Sequence, residues 1–200
     1  MTTLIFLGTI ISIFIFLIRL TIKIIKQKPI YHTVRTLVMI ILSYSVLWSI
    51  FHFLSSDKVV PLGTDICFDD WCATITKIET PKTLGKENQL FYPHGQFIIL
   101  HIEMSNHARG ISQKPCEPRV HIIDEKGNYW SFSVEGQEVL EKLIGSQIPI
   151  DEKLELHESL ETQLVFDLPL DAKKLKILIE EGPEITKLLF NENKKVFLIQ

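Results

Sequence analysis

Two long apolar runs near the N-terminus, joined by a short basic connector, constrain this chain more than any other stretch. Leu4 to Ile25 carries no charged side chain before Arg19. As a helix rising ~1.5 Å per residue it is roughly 33 Å long, enough to cross a hydrocarbon core of about 30 Å. Thr36 to Leu54 gives roughly 29 Å on the same geometry. A bilayer core offers the backbone no water, so a run of this length satisfies its own N–H and C=O groups as a spanning helix. Lys23, Lys26, Lys28 and Arg35 lie at or between the two runs, and Pro29 interrupts the helix. Basic residues in short loops stay cytoplasmic, which predicts an inside connector and both hairpin ends outside. Met1-Thr2-Thr3 has no basic side chain to oppose that orientation. Arg19 sits near enough to the inner end to snorkel, and Trp48 and His52 suit the outer interface. A cleaved signal peptide calls for a basic start and a small-residue cleavage site, whereas here the start is neutral and a second apolar run follows. Both runs are apolar on every side, unlike the amphipathic helices that border a small core. The expected organisation is a transmembrane hairpin over 1–54 (spans 4–25 and 36–54, cytoplasmic connector 26–35), a linker over 55–64 and an extracytoplasmic domain over 65–200.

Charge narrows the partners of that domain. The chain has 21 basic and 24 acidic residues. Five of the basic ones and no acidic ones precede Ser55, which leaves 16 basic against 24 acidic, a net charge of −8. A surface of that sign does not neutralise phosphates, so nucleic acid is excluded as a partner of the domain. All three cysteines, Cys67, Cys72 and Cys116, lie on the expected outer side. That distribution agrees with an oxidising compartment, and one of the three is left over in a monomer.

Beyond the hairpin, Ser55-Ser56-Asp57-Lys58 is a polar exit, and Val59-Val60-Pro61-Leu62-Gly63 reads as a brief extended linker. Cys67 and Cys72 flank a Phe-Asp-Asp-Trp stretch whose aspartates favour a turn, and directly opposed strand positions there can carry a disulfide. Its closure contributes roughly 2 kcal/mol in the chain-entropy model. The expected pairing is Cys67 with Cys72, although folding can also bring Cys116 to either one. Trp71, Ala73 and Ile75 alternate with Cys72, Thr74 and Thr76 as a half-buried strand. After a loop from Pro81 to His94, Gln96 to Asn106 forms the clearest strand, with Ile98, Leu100, Ile102 and Met104 on one face and Phe97, Ile99, His101 and Glu103 on the other. Another loop, His107 to Pro118, leads to a hairpin of Arg119 to Asp124 and Tyr129 to Val134 about a Glu125-Lys126-Gly127-Asn128 turn. Gly136 to Ile144 predicts one or two helical turns ended by Gly145. Ser159 to Leu168 alternates imperfectly, which suggests a bulge. Lys174 to Glu180 and Lys195 to Gln200 complete the strands. Short strands with turn signals and a single weak helix predict a mainly β, immunoglobulin-like β-sandwich after the hairpin.

Three stretches carry a resemblance: Ser105-Asn106 after an apolar strand, Asp124-Glu125-Lys126-Gly127-Asn128-Tyr129, and Glu158-Ser159-Leu160-Glu161-Thr162 before Leu164-Val165-Phe166-Asp167-Leu168-Pro169. Their order resembles the telokin-like, immunoglobulin-fold domains of unknown function found on bacterial cell-surface proteins and lipoproteins. The likeness spans about Gly63 to Glu181 and implies a fold and an outside address, not an activity. One departure is Leu156-His157, where that family tends to have Pro and Gly before the Glu-Ser step.

His101 and Glu103 share a strand face, and His121 lies on another expected strand. The three could hold zinc if those strands were neighbours, but no fourth ligand or tight spacing accompanies them, and alternating polar residues on a solvated sheet face are ordinary. Cys67 and Cys72 lack the Cys-x-x-Cys spacing of a redox pair, so a structural disulfide is expected. Asp69 and Asp70 read as turn-formers before they read as a cation site. Phe91, Tyr92 and His94 form a candidate contact patch in the long loop, or a loop tucked on the core. No Ser-His-Asp spacing, phosphate loop or nucleophile elbow is present, and no cofactor is implied. The expected function is therefore a non-catalytic, membrane-anchored extracytoplasmic module that binds a protein or envelope partner. The alternatives are a metal-dependent envelope factor using His101, Glu103 and His121, and an accessory subunit of a larger membrane complex.

Overall fold

A computed structural model describes residues 2–54, 57–68, 70–86, 89–182 and 195–199. The chain divides into a helical unit, containing Met1–Ser56, and a β unit, containing Asp57–Gly182 and the last strand.

The helical unit consists of α1 (Thr2–Ile25) and α2 (Tyr31–Leu54), each of 24 residues. Both are long and apolar enough to cross a membrane. α2 begins five positions before Thr36, because Pro29 lies just outside its first turn and the polar residues after it do not oppose a helix. At the end of α1, Lys28 N donates to Lys23 O (2.9 Å) and Gln27 N to Ile24 O (3.0 Å). Gln27 takes the left-handed conformation, φ 49°, that such a closure requires.

The β unit is a two-layer sandwich. One sheet orders β2 (Ile66–Phe68), β3 (Trp71–Glu79), β6 (Gln96–Asn106) and β9 (Ser159–Leu168). The other orders β1 (Lys58–Val60), β11 (Lys195–Leu198), β10 (Lys176–Glu180), β7 (Arg119–Ile123) and β8 (Tyr129–Trp130). A small hairpin, β4 (Leu84–Lys86) with β5 (Gln89–Phe91), and helix α3 (Val134–Ile144) complete the unit. Ile98, Leu100, Ile102 and Met104 of β6 face inward and meet Ala73, Ile75, Ile122, Phe166, Ile177 and Phe197 in one buried core. Period-2 alternation places them there, since each inward side chain is followed by one on the opposite face.

Several local expectations are corrected. Lys58–Val60 is not linker but strand β1, paired in parallel with β11, and Val60 is buried in the core. The loop before His94 contains the β4–β5 hairpin. The return strand β8 stops at Trp130, because Ser133 caps α3 by accepting from Gly136 N. The bulge is in β3, between Ile75 and Lys77, while β9 pairs with β6 in continuous register. β9 looks irregular in sequence because Val165, on its outer face, is as apolar as its inward residues. That outer face is not simply solvated. Phe97, Ile99 and Val165 join Leu84 and Leu140 in a second core beneath α3 and the β4–β5 hairpin.

α3 reaches the sheet so closely because of Gly136, where an added Cβ would lie 2.7 Å from Val165 Cγ1. The helix segment also satisfies the free edge of β9. Gln137 donates through Nε2 to Gln163 O (2.9 Å) and accepts through Oε1 from Val165 N (3.1 Å). Gln147 Oε1 accepts from Gln163 N (3.1 Å), and Ser133 N donates to Val165 O (2.6 Å). Side-chain amides thus take the place of a further strand and block edge pairing with another chain.

Candidate functional site

A cleft of about 410 Å³ opens in the β unit where the β5–β6 loop, the β8–α3 junction and the end of β9 converge. His94, Trp130, Ser131, Glu135 and Asp167 supply its polar and aromatic lining. Asp167 is the centre. Its carboxylate accepts from His94 N (2.8 Å) and Gly95 N (3.2 Å), and Oδ2 lies 2.9 Å from His94 Nδ1. Gly95 is required beside it, because an added Cβ would fall 2.1 Å from Leu168 O. The Asp167 side chain is 10% exposed and that of His94 84% exposed. One carboxylate therefore fixes the loop and the imidazole tautomer, leaving Nε2 to the solvent side. The serines are committed elsewhere. Ser133 Oγ accepts from Gly136 N at 3.1 Å, and Ser131 Oγ lies 3.5 Å from His121 Nδ1. The arrangement suits hydrogen bonding to a polar group laid across an aromatic edge.

The expected contact patch is split. Tyr92 and His94 are exposed, whereas Phe91 is partly buried and stacks on Phe97 at 5.6 Å. The three residues of the zinc alternative are not brought together. His101 is on the outer face of the β2-β3-β6-β9 sheet, where Nε2 lies 3.0 Å from Glu79 Oε1. Glu103 accepts from Ser159 Oγ. His121 belongs to β7 in the opposite sheet and packs edge-on to Tyr129. Among the described residues no three His, Cys, Asp or Glu side chains are grouped to hold a metal. Glu79 also meets Lys77 Nζ at 2.6 Å. The Lys77 hydrogen bond, opposed by desolvation and aided by the charges of Lys77 and His101, holds its carboxyl below the usual range.

Cys67 and Cys72 are disulfide-bonded at directly opposed positions of β2 and β3, with Cα atoms 3.9 Å apart, and Cys116 is a free, exposed thiol. Asp69 and the side chain of His52 lie outside the described residues. Asp70 accepts from His107 N (2.8 Å) through its carbonyl and from Gln113 Nε2 (3.2 Å) through its carboxylate, a loop-holding role.

The motifs behind the family resemblance prove to be loop organisers. Asn106 is buried, donates to Ile111 O and Leu154 O, and accepts from Ala108 N. Asp124 accepts from Lys126 N, Asn128 N and Asn128 Nδ2 within 3.0 Å. Burial pushes its carboxyl up, but the hydrogen bonds from Asn128 and Lys126 outweigh that and lower it overall. Sequence reading missed Asp167 as the cleft's anchor. Its signal was faint: an acidic residue on an outward strand position, two before a proline.

The class defined by this architecture is a two-sheet β-sandwich protein that carries two apolar helices before the sandwich. Among solved structures, a conserved hypothetical protein from Bacillus anthracis is similar at 18% identity and a TM-score of 0.50, over 68% of this chain and 93% of that one. An uncharacterized β-sandwich protein from Clostridium difficile (16% identity, TM-score 0.46, 73% and 96% covered) is also similar. So is the secreted protein MPT63 from Mycobacterium tuberculosis (10%, 0.47, 72% and 98%). The first of these likenesses supports the fold alone. No family model matches the sequence, and neither does any curated protein.

Proposed function

We propose that this chain is a membrane-anchored, extracytoplasmic β-sandwich that binds a protein or another envelope component. The observation that carries the reading is the outward apolar surface of both N-terminal helices: Phe14, Ile24, Met39 and Val46 are all more than half exposed. No acidic residue precedes Asp57. Such a surface is at home in hydrocarbon, and the basic connector marks the cytoplasmic end. The disulfide suits an oxidising compartment, and the telokin-like motifs point to the same outside address. The cleft around Asp167 is the contact surface, with Trp130 in its lining and the exposed Tyr92, two residues before His94 in the same loop, as aromatic anchors of the kind that dominate binding energy.

The test is thiol accessibility in intact cells. A membrane-impermeant maleimide labels Cys116 and leaves unlabelled a cysteine placed at Lys28; the reverse pattern defeats the address. A photo-crosslinker at Tyr92 then captures a partner that Trp130→Ala no longer yields. Capture unchanged by that substitution moves the contact surface away from the cleft.

A further inference from the structure

We propose that the connector end of the helical hairpin is a binding site for the phosphate of an anionic phospholipid. The proposal rests on the membrane anchoring put forward above. The helical unit contains a cleft of about 510 Å³ between the last turns of α1 and the first turns of α2. Arg19, Lys23, Lys26, Lys28, His32 and Thr33 line it. Arg19 and Lys23 of α1 recur at helical spacing with Lys26, the residue just past its end, whose N–H still donates to Ile22 O. The closure through Gln27 then turns the chain so that Lys28 borders the same space.

Three features distinguish this cleft from an ordinary basic loop. Lys23 is not free to leave it: Nζ donates to Thr33 Oγ1 at 2.7 Å, and Thr33 is 6% exposed. An ammonium held by one hydroxyl has two further donors for an anion. Second, neither helix nor the connector carries a carboxylate to neutralise these cations, since no acidic residue precedes Asp57. Third, the cleft is amphipathic. Phe16 and Ile22 border it on the apolar side, and the Arg19 guanidinium lies 5.6 Å from the Phe16 ring centroid. A group with a phosphate beside a hydrocarbon chain matches that lining, whereas inorganic phosphate leaves the apolar wall unused. Basic pockets between spanning helices on the cytoplasmic side are where anionic headgroups concentrate.

The full-length chain is reconstituted in nanodiscs of phosphatidylcholine mixed with phosphatidylglycerol, and retained lipid is read by native mass spectrometry. Phosphatidylglycerol should be retained roughly tenfold over its share of the bilayer, the effect expected of one or two juxtamembrane cations. Lys23→Gln with Lys26→Gln should abolish that enrichment, and Lys26→Arg alone should keep it. Millimolar inorganic phosphate should not displace the lipid. Equal retention of both headgroups by the unaltered chain overturns the site, as does enrichment that survives the double substitution. Displacement by inorganic phosphate reassigns the cleft to free phosphate and overturns the lipid. A chain that does not incorporate into phosphatidylcholine alone fails the anchoring reading instead, an outcome visible before any headgroup comparison.

Discussion

His157 shows how one residue departs from its local pattern and what that costs. It holds φ 61°, in a turn where Glu158 N donates to Glu155 O at 3.0 Å. A residue with a Cβ is disfavoured there by about 1–2 kcal/mol, and glycine escapes the penalty. His157→Gly should therefore stabilise the sandwich by up to about 1 kcal/mol after its own unfolded-state entropy is subtracted, measured by urea unfolding. The Cys67–Cys72 bridge acts on the unfolded chain instead. Replacing both with alanine should cost about 2 kcal/mol in the same measurement and leave the far-UV circular dichroism unchanged. Asp124 adds a pH dependence of known sign. Its folded pKa is lowered, so its contribution is fully present above the unfolded value and is lost as pH falls through the folded one. The stability difference between the parent chain and Asp124→Asn should hold at neutral pH and shrink below about pH 4.

At the scale of elements, α3 is bound to β9 through Gly136 and Gln137, and the segment that follows it through Gln147. Gly136→Ala should push the helix off Val165 and destabilise by about 1–3 kcal/mol, the usual cost of overpacking a close contact. The same substitution should speed hydrogen exchange at Gln163 and Val165, whose amides depend on Gln147 and Gln137. An intact exchange pattern in a destabilised variant would show that the amides are protected without the helix. These elements were unevenly legible. β6 and β7 could be read directly, because inward and outward residues alternate without exception at Ile98, Leu100, Ile102 and Met104 and at Val120 and Ile122. β1 and the β4–β5 hairpin could not, since strands of three residues carry too few alternations to outweigh nearby Pro and Gly. The burial of Phe97 and Ile99, on the β6 face opposite the main core, is not legible in sequence because only tertiary structure supplies the helix above them. Asp167 was hidden for the same reason, its partners at His94 and Gly95 being remote in sequence.

At the scale of the whole molecule, one strand pairing joins the two ends of the sandwich sequence. Lys58 pairs with Lys195 and Val60 with Phe197, in the parallel contact between β1 and β11. Phe197 is itself fully buried in the main core, opposite Ile177. Truncation before Lys195 should therefore unfold the sandwich at equilibrium and not merely fray its end, seen as loss of cooperative melting. Survival of a sharp transition would show that the sheet closes without its last strand. There is an order of events in this pairing. A chain delivered from its N-terminus presents β1 first and β11 last, so the strand that follows the apolar helices in sequence waits, unpaired, while everything between is made. Closing that contact spans most of the unit, and contacts of such separation are slow to form. During the wait, Val59 and Val60 are an open strand edge, and the protein is then most vulnerable to pairing with a neighbour's β11 in place of its own.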